Sequence, residues 1–181
     1  VSLNNGSRYI PPMQGFFVKA AQPGTLTVNE KSCVRNFTDS KVALKNNSVK
    51  FNLKDSDGIS DEVMFRVNAN STFGFDDNLD ALKLQGNVNT TSLYFGSDDE
   101  LKYAINTIPT VNSSLEIPLD IVSVKSGMLN ISASGSFNFE YRYPVILEDM
   151  ELGLFIDLRA DSVYSFYHTP EMNSKRFKIH F

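Results

Sequence analysis

Through long stretches of this chain, apolar side chains occupy every second position. Val49, Phe51 and Leu53 alternate with Lys50, Asn52 and Lys54, and Val63, Phe65 and Val67 alternate with Met64, Arg66 and Asn68. The same rhythm returns at Leu115, Ile117, Leu119 and Ile121, at Leu129, Ile131 and Ala133, and at Phe177, Ile179 and Phe181. A period of two puts one set of side chains on a buried face and the other in water, the pattern of strands in a sheet with one solvated face. Turn signals separate the runs: Pro23-Gly24, Asp57-Gly58, Gly86-Asn87, Gly96-Ser97 and Ser126-Gly127. No segment carries a long helical stripe, and Asp98 to Asn106 offers one helical turn at most. About a dozen short strands with frequent turns predict an all-β fold, an antiparallel β-sandwich of jelly-roll type. Without a linker, a repeat or a low-complexity segment, residues 1–181 read as a single β-sandwich domain.

Composition narrows the partners more than the fold. A chain of 181 residues with 41% hydrophobic residues, 14 Phe and 7 Tyr is long and apolar enough to bury a core without disulfides. The formal net charge of −4 comes without a basic block, so no nucleic acid partner is expected. No apolar run approaches the roughly 18 residues that a membrane-spanning segment needs. The opening Val1-Ser2-Leu3-Asn4-Asn5-Gly6 has no signal-peptide character and reads as a cut inside a longer polypeptide. The single cysteine, Cys33, excludes an internal disulfide framework, and a monomer is expected.

Candidate chemistry is sparse. No glycine pair has the spacing of a dinucleotide or phosphate loop, and the Gly-x-Ser-x-Gly elbow is absent. His168 and His180 sit on strand-like runs far from Cys33, which is no zinc spacing, and they read as satisfied or solvent-facing. Carboxylates are plentiful, as in Glu148-Asp149-Met150-Glu151, but a glycosidase pair can be drawn from many of them. Two acidic clusters bear on calcium, which takes several hard oxygens from alternate loop positions. Asp55, Asp57 and Asp61 surround Gly58, while Asp76, Asp77, Asn78 and Asp80 follow Gly74-Phe75. Neither has the EF-hand order, and Asp side chains also bond their own backbone in turns. Asp76, Asp77 and Asp80 are the candidate calcium ligands; otherwise no cofactor is expected. Phe137, Phe139, Tyr141 and Tyr143 alternate along one strand face. Such a row fills the space between sheets or stacks on sugar rings, and Tyr141 and Tyr143 are the candidate ligand-binding pair because their hydroxyls want partners.

A last pattern spans nearly the whole chain. Tyr9-Ile10-Pro11-Pro12-Met13-Gln14-Gly15-Phe16-Phe17-Val18-Lys19-Ala20 opens it, followed by Leu53-Lys54-Asp55-Ser56-Asp57-Gly58, Gly74-Phe75-Asp76 and Asp80-Ala81-Leu82-Lys83-Leu84. Leu147-Glu148-Asp149, Tyr164-Ser165-Phe166 and Arg176-Phe177 complete it in order. This series resembles the region just before the C-terminal sorting domain of type IX-secreted surface proteins of Bacteroidetes. Relatives usually place an aromatic where Leu82 stands. The resemblance implies a non-catalytic accessory or spacer module, secreted or on the outer cell surface of a Gram-negative bacterium. Its partners would be the upstream and C-terminal sorting domains of the parent chain, with a surface polysaccharide as a further candidate. A carbohydrate-binding module is the first competing reading. A glycoside hydrolase or other hydrolase on a sandwich fold comes next, and a protein-interaction domain after that.

Overall fold

The computed structural model describes residues 22–27, 47–84, 90–97, 100–111, 115–137, 144–160 and 163–181. The chain divides into two units, Val1–Ala43 and Leu44–Phe181. Of the first, residues 22–27 are described and exposed. The second carries eleven described strands and, among the described residues, no helix. They are β1 (Asn47–Asp55), β2 (Ser60–Val67), β3 (Ala81–Leu82), β4 (Ser92–Phe95), β5 (Tyr103–Ile108) and β6 (Glu116–Val122). Then follow β7 (Gly127–Phe137), β8 (Ile146–Asp149), β9 (Leu154–Asp157), β10 (Val163–His168) and β11 (Phe177–His180).

The period-two runs fold as their pattern requires. Val49, Phe51 and Leu53 on β1, Val63 and Phe65 on β2, Leu129 and Ile131 on β7, and Phe177 and Ile179 on β11 are all buried. Each fully buried side chain of this size contributes about 1.5–3 kcal/mol over its exposed state. Of the stretch from Asp98 to Asn106, where the sequence allows one helical turn, the described residues 100–106 carry no helix, and β5 begins at Tyr103. Alternation also breaks at Asp120 on β6, which is buried although both its neighbours, Leu119 and Ile121, are buried too.

One hydrogen-bonded ladder runs β10-β7-β1-β2-β5-β4-β6-β11-β8-β9, with β3 attached to β5. Most pairs are antiparallel. The expectation of a wholly antiparallel sheet fails at β2 and β5, which run parallel with Met64 opposite Ile105 and Val67 opposite Ile108. A parallel pair needs a crossover rather than a tight turn, and the long segment between Val67 and Tyr103 supplies one while contributing β3 and β4 on the way.

The sheet curls until its apolar face meets itself. Phe51 on β1 packs edge-on to Phe95 on β4 at 5.9 Å between ring centroids, and Phe65 on β2 stacks on Phe181 at 4.5 Å. Phe166 on β10, at one end of the ladder, packs on Phe177 of β11 at 4.8 Å. The β1–β7 pair demands one glycine. Gly135, opposite Val49, has φ +122°, and a Cβ there would lie 2.7 Å from the Ser48 carbonyl oxygen. L-residues rarely adopt that backbone, and the carbonyl belongs to a paired strand that cannot retreat cheaply.

Candidate functional site

Three of the motifs that carry the family resemblance converge in space. On β8, Leu147 and Asp149 point inward; on β10, Tyr164 and Phe166 do; Arg176 lies immediately before β11, where Phe177 is buried. Asp149 and Arg176 are 0% and 5% exposed. Arg176 donates from Nε to Asp149 Oδ1 at 2.7 Å, and from Nη2 to Oδ2. Tyr164 donates its hydroxyl to Oδ2 at 2.7 Å, and the amides of Glu151 and Leu152 donate to Oδ1 at 3.1 and 3.3 Å. The guanidinium lies 5.1 Å from the ring centroids of both Phe166 and Phe177. Its Nη1 reaches Met172 Sδ at 3.0 Å and Glu151 Oε2 at 3.1 Å.

The electrostatics follow from this geometry. Burial alone would raise the Asp149 pKa, but hydrogen bonds from Arg176, Tyr164 and the Leu152 amide outweigh it and hold the carboxyl below its ordinary value. Burial and the adjacent carboxylate push the Tyr164 hydroxyl up to about 12. The bond to Asp149 raises Arg176 further. A bidentate Arg–carboxylate pair with its remaining lone pairs filled is the arrangement that a buried ion pair needs to avoid a net desolvation loss.

Beside this cluster lies a cavity of about 580 Å³. Met150 and Glu151 of the β8–β9 turn line it, with Thr169, Glu171, Met172 and Lys175 of the β10–β11 connection and the buried Arg176. It is mixed in character, and its arginine is already committed to Asp149 and Glu151.

The β10–β11 connection also covers the outer side of β6, where the Ile121 amide donates to the Ser174 carbonyl at 3.2 Å. Beneath it sits Asp120, 4% exposed, with Oδ1 lacking a hydrogen-bond partner among the described residues. Burial raises its pKa, while Lys175 and Lys102 pull it back. Asp120 faces Tyr94 across the β4–β6 pair, and Lys102 Nζ stands 4.6 Å from the Tyr94 ring centroid. Gly96 makes room for the carboxylate: a Cβ there would sit 2.8 Å from Asp120 Oδ2.

The residues singled out from sequence are dispersed. Tyr141 and Tyr143 lie outside the described residues, as does Cys33. Asp76 and Asp80 bracket a tight turn: Asp76 Oδ2 accepts the Thr72 amide at 2.6 Å, and Asp80 accepts the amides of Thr107 at 2.6 Å and Asp76 at 2.9 Å. Burial raises the Asp80 pKa despite these bonds. Asp77 is exposed. In the first acidic cluster each carboxylate goes its own way. Asp55 accepts the Ile59 amide at 2.8 Å, Asp57 pairs with Lys125 at 3.1 Å, and Asp61 takes Lys83 at 2.6 Å and the Leu93 amide at 2.8 Å. No group of three or more His, Cys, Asp and Glu side chains is placed to hold a metal among the described residues.

Both histidines are partnered. His168, 4% exposed, donates from Nε2 to the Ser123 carbonyl at 3.2 Å. His180 meets Glu148 at 2.7 Å on the outer side of β11, with Phe155 at 5.9 Å between ring centroids. What sequence reasoning missed is the convergence of Asp149, Tyr164 and Arg176. The available signal was slight: Asp149 stands two residues after Leu147 and Tyr164 two before Phe166, in step with buried positions, while Arg176 is marked only by standing next to Phe177.

Comparison with known proteins places the chain in a family without giving it a relative. A family model described as a domain of unknown function, DUF8693, matches residues 2–181. No curated protein and no solved structure matches.

Proposed function

We propose that this chain, which belongs to the DUF8693 family, is a non-catalytic accessory and spacer module of a secreted or cell-surface protein. In this reading it folds outside the cell into a rigid block that sets an upstream functional part off from a C-terminal sorting domain. The architecture proposed for it is a jelly-roll-like sandwich, in keeping with the packing of the apolar face on itself at Phe51–Phe95 and Phe166–Phe177.

The observation that carries the reading is how buried charge is used. Asp149 receives five hydrogen bonds from Arg176, Tyr164 and two backbone amides, which ties β8, β10 and the start of β11 into one unit. Asp61 likewise holds Lys83 beside β3 and the Leu93 amide of β4. Groups spent on joining strands stiffen a block. The export part of the proposal rests on the resemblance of the Tyr9–Ala20 signature and the motifs that follow it.

The test is an immunoblot of the source organism, fractionated into cytoplasm, envelope and medium, with antibody against this domain. A band far above 20.3 kDa in envelope or medium is expected. A cytoplasmic band near the size of the chain would overturn the proposal.

A further inference from the structure

We infer that the outer face of β10, β7, β1 and β2 binds an acidic polysaccharide. Register puts its side chains in rows. Lys54, Asn130 and Ser165 lie side by side across β1, β7 and β10, and Asn52, Ser132 and Val163 form the next row. Ser134 stands beside Lys50 one row further on, and Met128 and Tyr167 close the other end. Hydroxyls and amides thus fill the β10, β7 and β1 part of the face, and Glu62 and Met64 of β2 continue the Asn52 and Lys50 rows. Neighbouring strands are about 4.8 Å apart, close to the length of one sugar unit, so successive hydroxyls of an extended chain crossing the strands meet successive side chains. Tyr167 is 58% exposed at the end of the face and offers a flat apolar ring for stacking.

Charge selects an acidic chain over a neutral one. Lys50 is paired with Glu62 at 2.8 Å. The side chains of Lys54 on β1 and Arg66 on β2 have no ionic or hydrogen-bond partner among the described residues. The face therefore carries two uncommitted cations in a chain whose net charge is −4. A polyanion is repelled by the molecule as a whole and attracted here, which localises binding to this face. Arg66 further suits a carboxylate, which its planar fork can grip through two bonds.

The inference adds a ligand to a module read above as a spacer, and its test is independent of where the parent protein resides. The full 181-residue chain is run through native gels containing alginate, polygalacturonate or hyaluronate, at low and high salt. Dextran gels and gels with double-stranded DNA serve as comparisons, and every mobility is taken relative to a polymer-free gel. Retardation by at least one acidic polysaccharide, weakened by salt, is expected. Lys54→Glu with Arg66→Glu should weaken binding at least tenfold and Tyr167→Ala several-fold. Lys178→Glu, a single charge reversal of the same kind on β11, should leave it intact. Circular dichroism melts establish that each variant folds, and Lys54→Gln with Arg66→Gln replaces the reversal if it does not. No retardation by any of the three acidic polymers overturns the inference, and so does equal loss in Lys178→Glu. Retardation in dextran that matches the acidic gels removes the role of charge and overturns it as well. Tighter binding to DNA would assign the face to nucleic acid instead.

Discussion

Removing the charge of Asp149 while keeping its shape tests whether the buried cluster holds the C-terminal strands together. Asp149→Asn retains one acceptor oxygen and places an amide group where the second oxygen stood. That group faces donors on either side: Arg176 at Nε or Nη2, Tyr164 at its hydroxyl, and the amides of Glu151 and Leu152. At least two charge-assisted bonds are lost, each worth about 1.5–3 kcal/mol. Arg176, 5% exposed, keeps only Glu151 as an ionic partner, and the Glu151 side chain is 54% exposed. Both routes of reckoning agree on about 3–5 kcal/mol, the usual cost of breaking one half of a buried pair. Against a total stability of about 5–15 kcal/mol that is a large share. In urea unfolding it appears as a fall of about 2 M in the midpoint with an unchanged slope. Tyr164→Phe, which removes one of the five bonds, should cost about 1.5–3 kcal/mol. Asp149→Leu with Arg176→Met should recover part of the loss, because an apolar pair leaves no charge stranded. A midpoint for Asp149→Asn within 0.5 M of the parent would refute the reasoning, and so would a double variant less stable than the single one, which would show that the pair is valued for something other than avoiding a buried lone charge. The pH dependence has two windows. The Asp149 pKa is depressed on folding, so its contribution is present above the ordinary carboxylate value and lost as pH falls through the folded one. Tyr164 is raised to about 12, so its contribution is intact below the ordinary tyrosine value near 10 and lost as pH rises from there through 12.

Three further outcomes are expected. Gly135→Ala should cost about 2 kcal/mol or more in the same urea assay, since the new Cβ meets the Ser48 carbonyl at 2.7 Å on a backbone of φ +122°; a loss under 0.5 kcal/mol would mean that the β1–β7 pair yields there. Asp120→Asn should stabilise the fold at neutral pH by an amount on the order of 1 kcal/mol, read as a raised Tm, because a buried carboxylate with an unmet oxygen disfavours the folded state when charged. Its raised folded pKa means that the parent gains stability as pH falls through that value, so the gap between variant and parent should narrow in acid; a gap that widens would contradict this. Calcium at millimolar concentration should leave the Tm unchanged, since the Asp76 and Asp80 carboxylates already serve backbone amides; a rise abolished by Asp76→Asn would place an ion in that turn.

Much of the fold is legible in the chain because strand alternation is local. Whether Phe51 is inside depends on a rhythm carried by Val49 and Leu53 beside it, and the Asp57-Gly58 turn signal marks where β1 hands over to β2. The turn chemistry of Asp55, Asp76 and Asp80 is local as well, and in all three a carboxylate accepts a nearby backbone amide. The candidate sites were less legible. Tyr141 and Tyr143 belong to a run whose alternation first suggests a core, yet a rim position is compatible with the same pattern. Carboxylates as different in role as Asp57, exposed beside Lys125, and Asp61, clamped to Lys83 and β4, look alike in a one-dimensional reading.

The amino-acid sequence by itself determined that the chain is built of strands, which faces of those strands are apolar, and where most of them turn, since these depend on neighbours within a few residues. Only the tertiary structure decided that β2 and β5 run parallel, that Asp120 is buried beneath the β10–β11 connection, and that Asp149, Tyr164 and Arg176 share one set of hydrogen bonds. Those three residues come from separate segments, and their meeting depends on how the whole sheet curls. A buried charge pair is stable only where its partner and its desolvation are set together, and both are properties of the assembled core rather than of any stretch of chain.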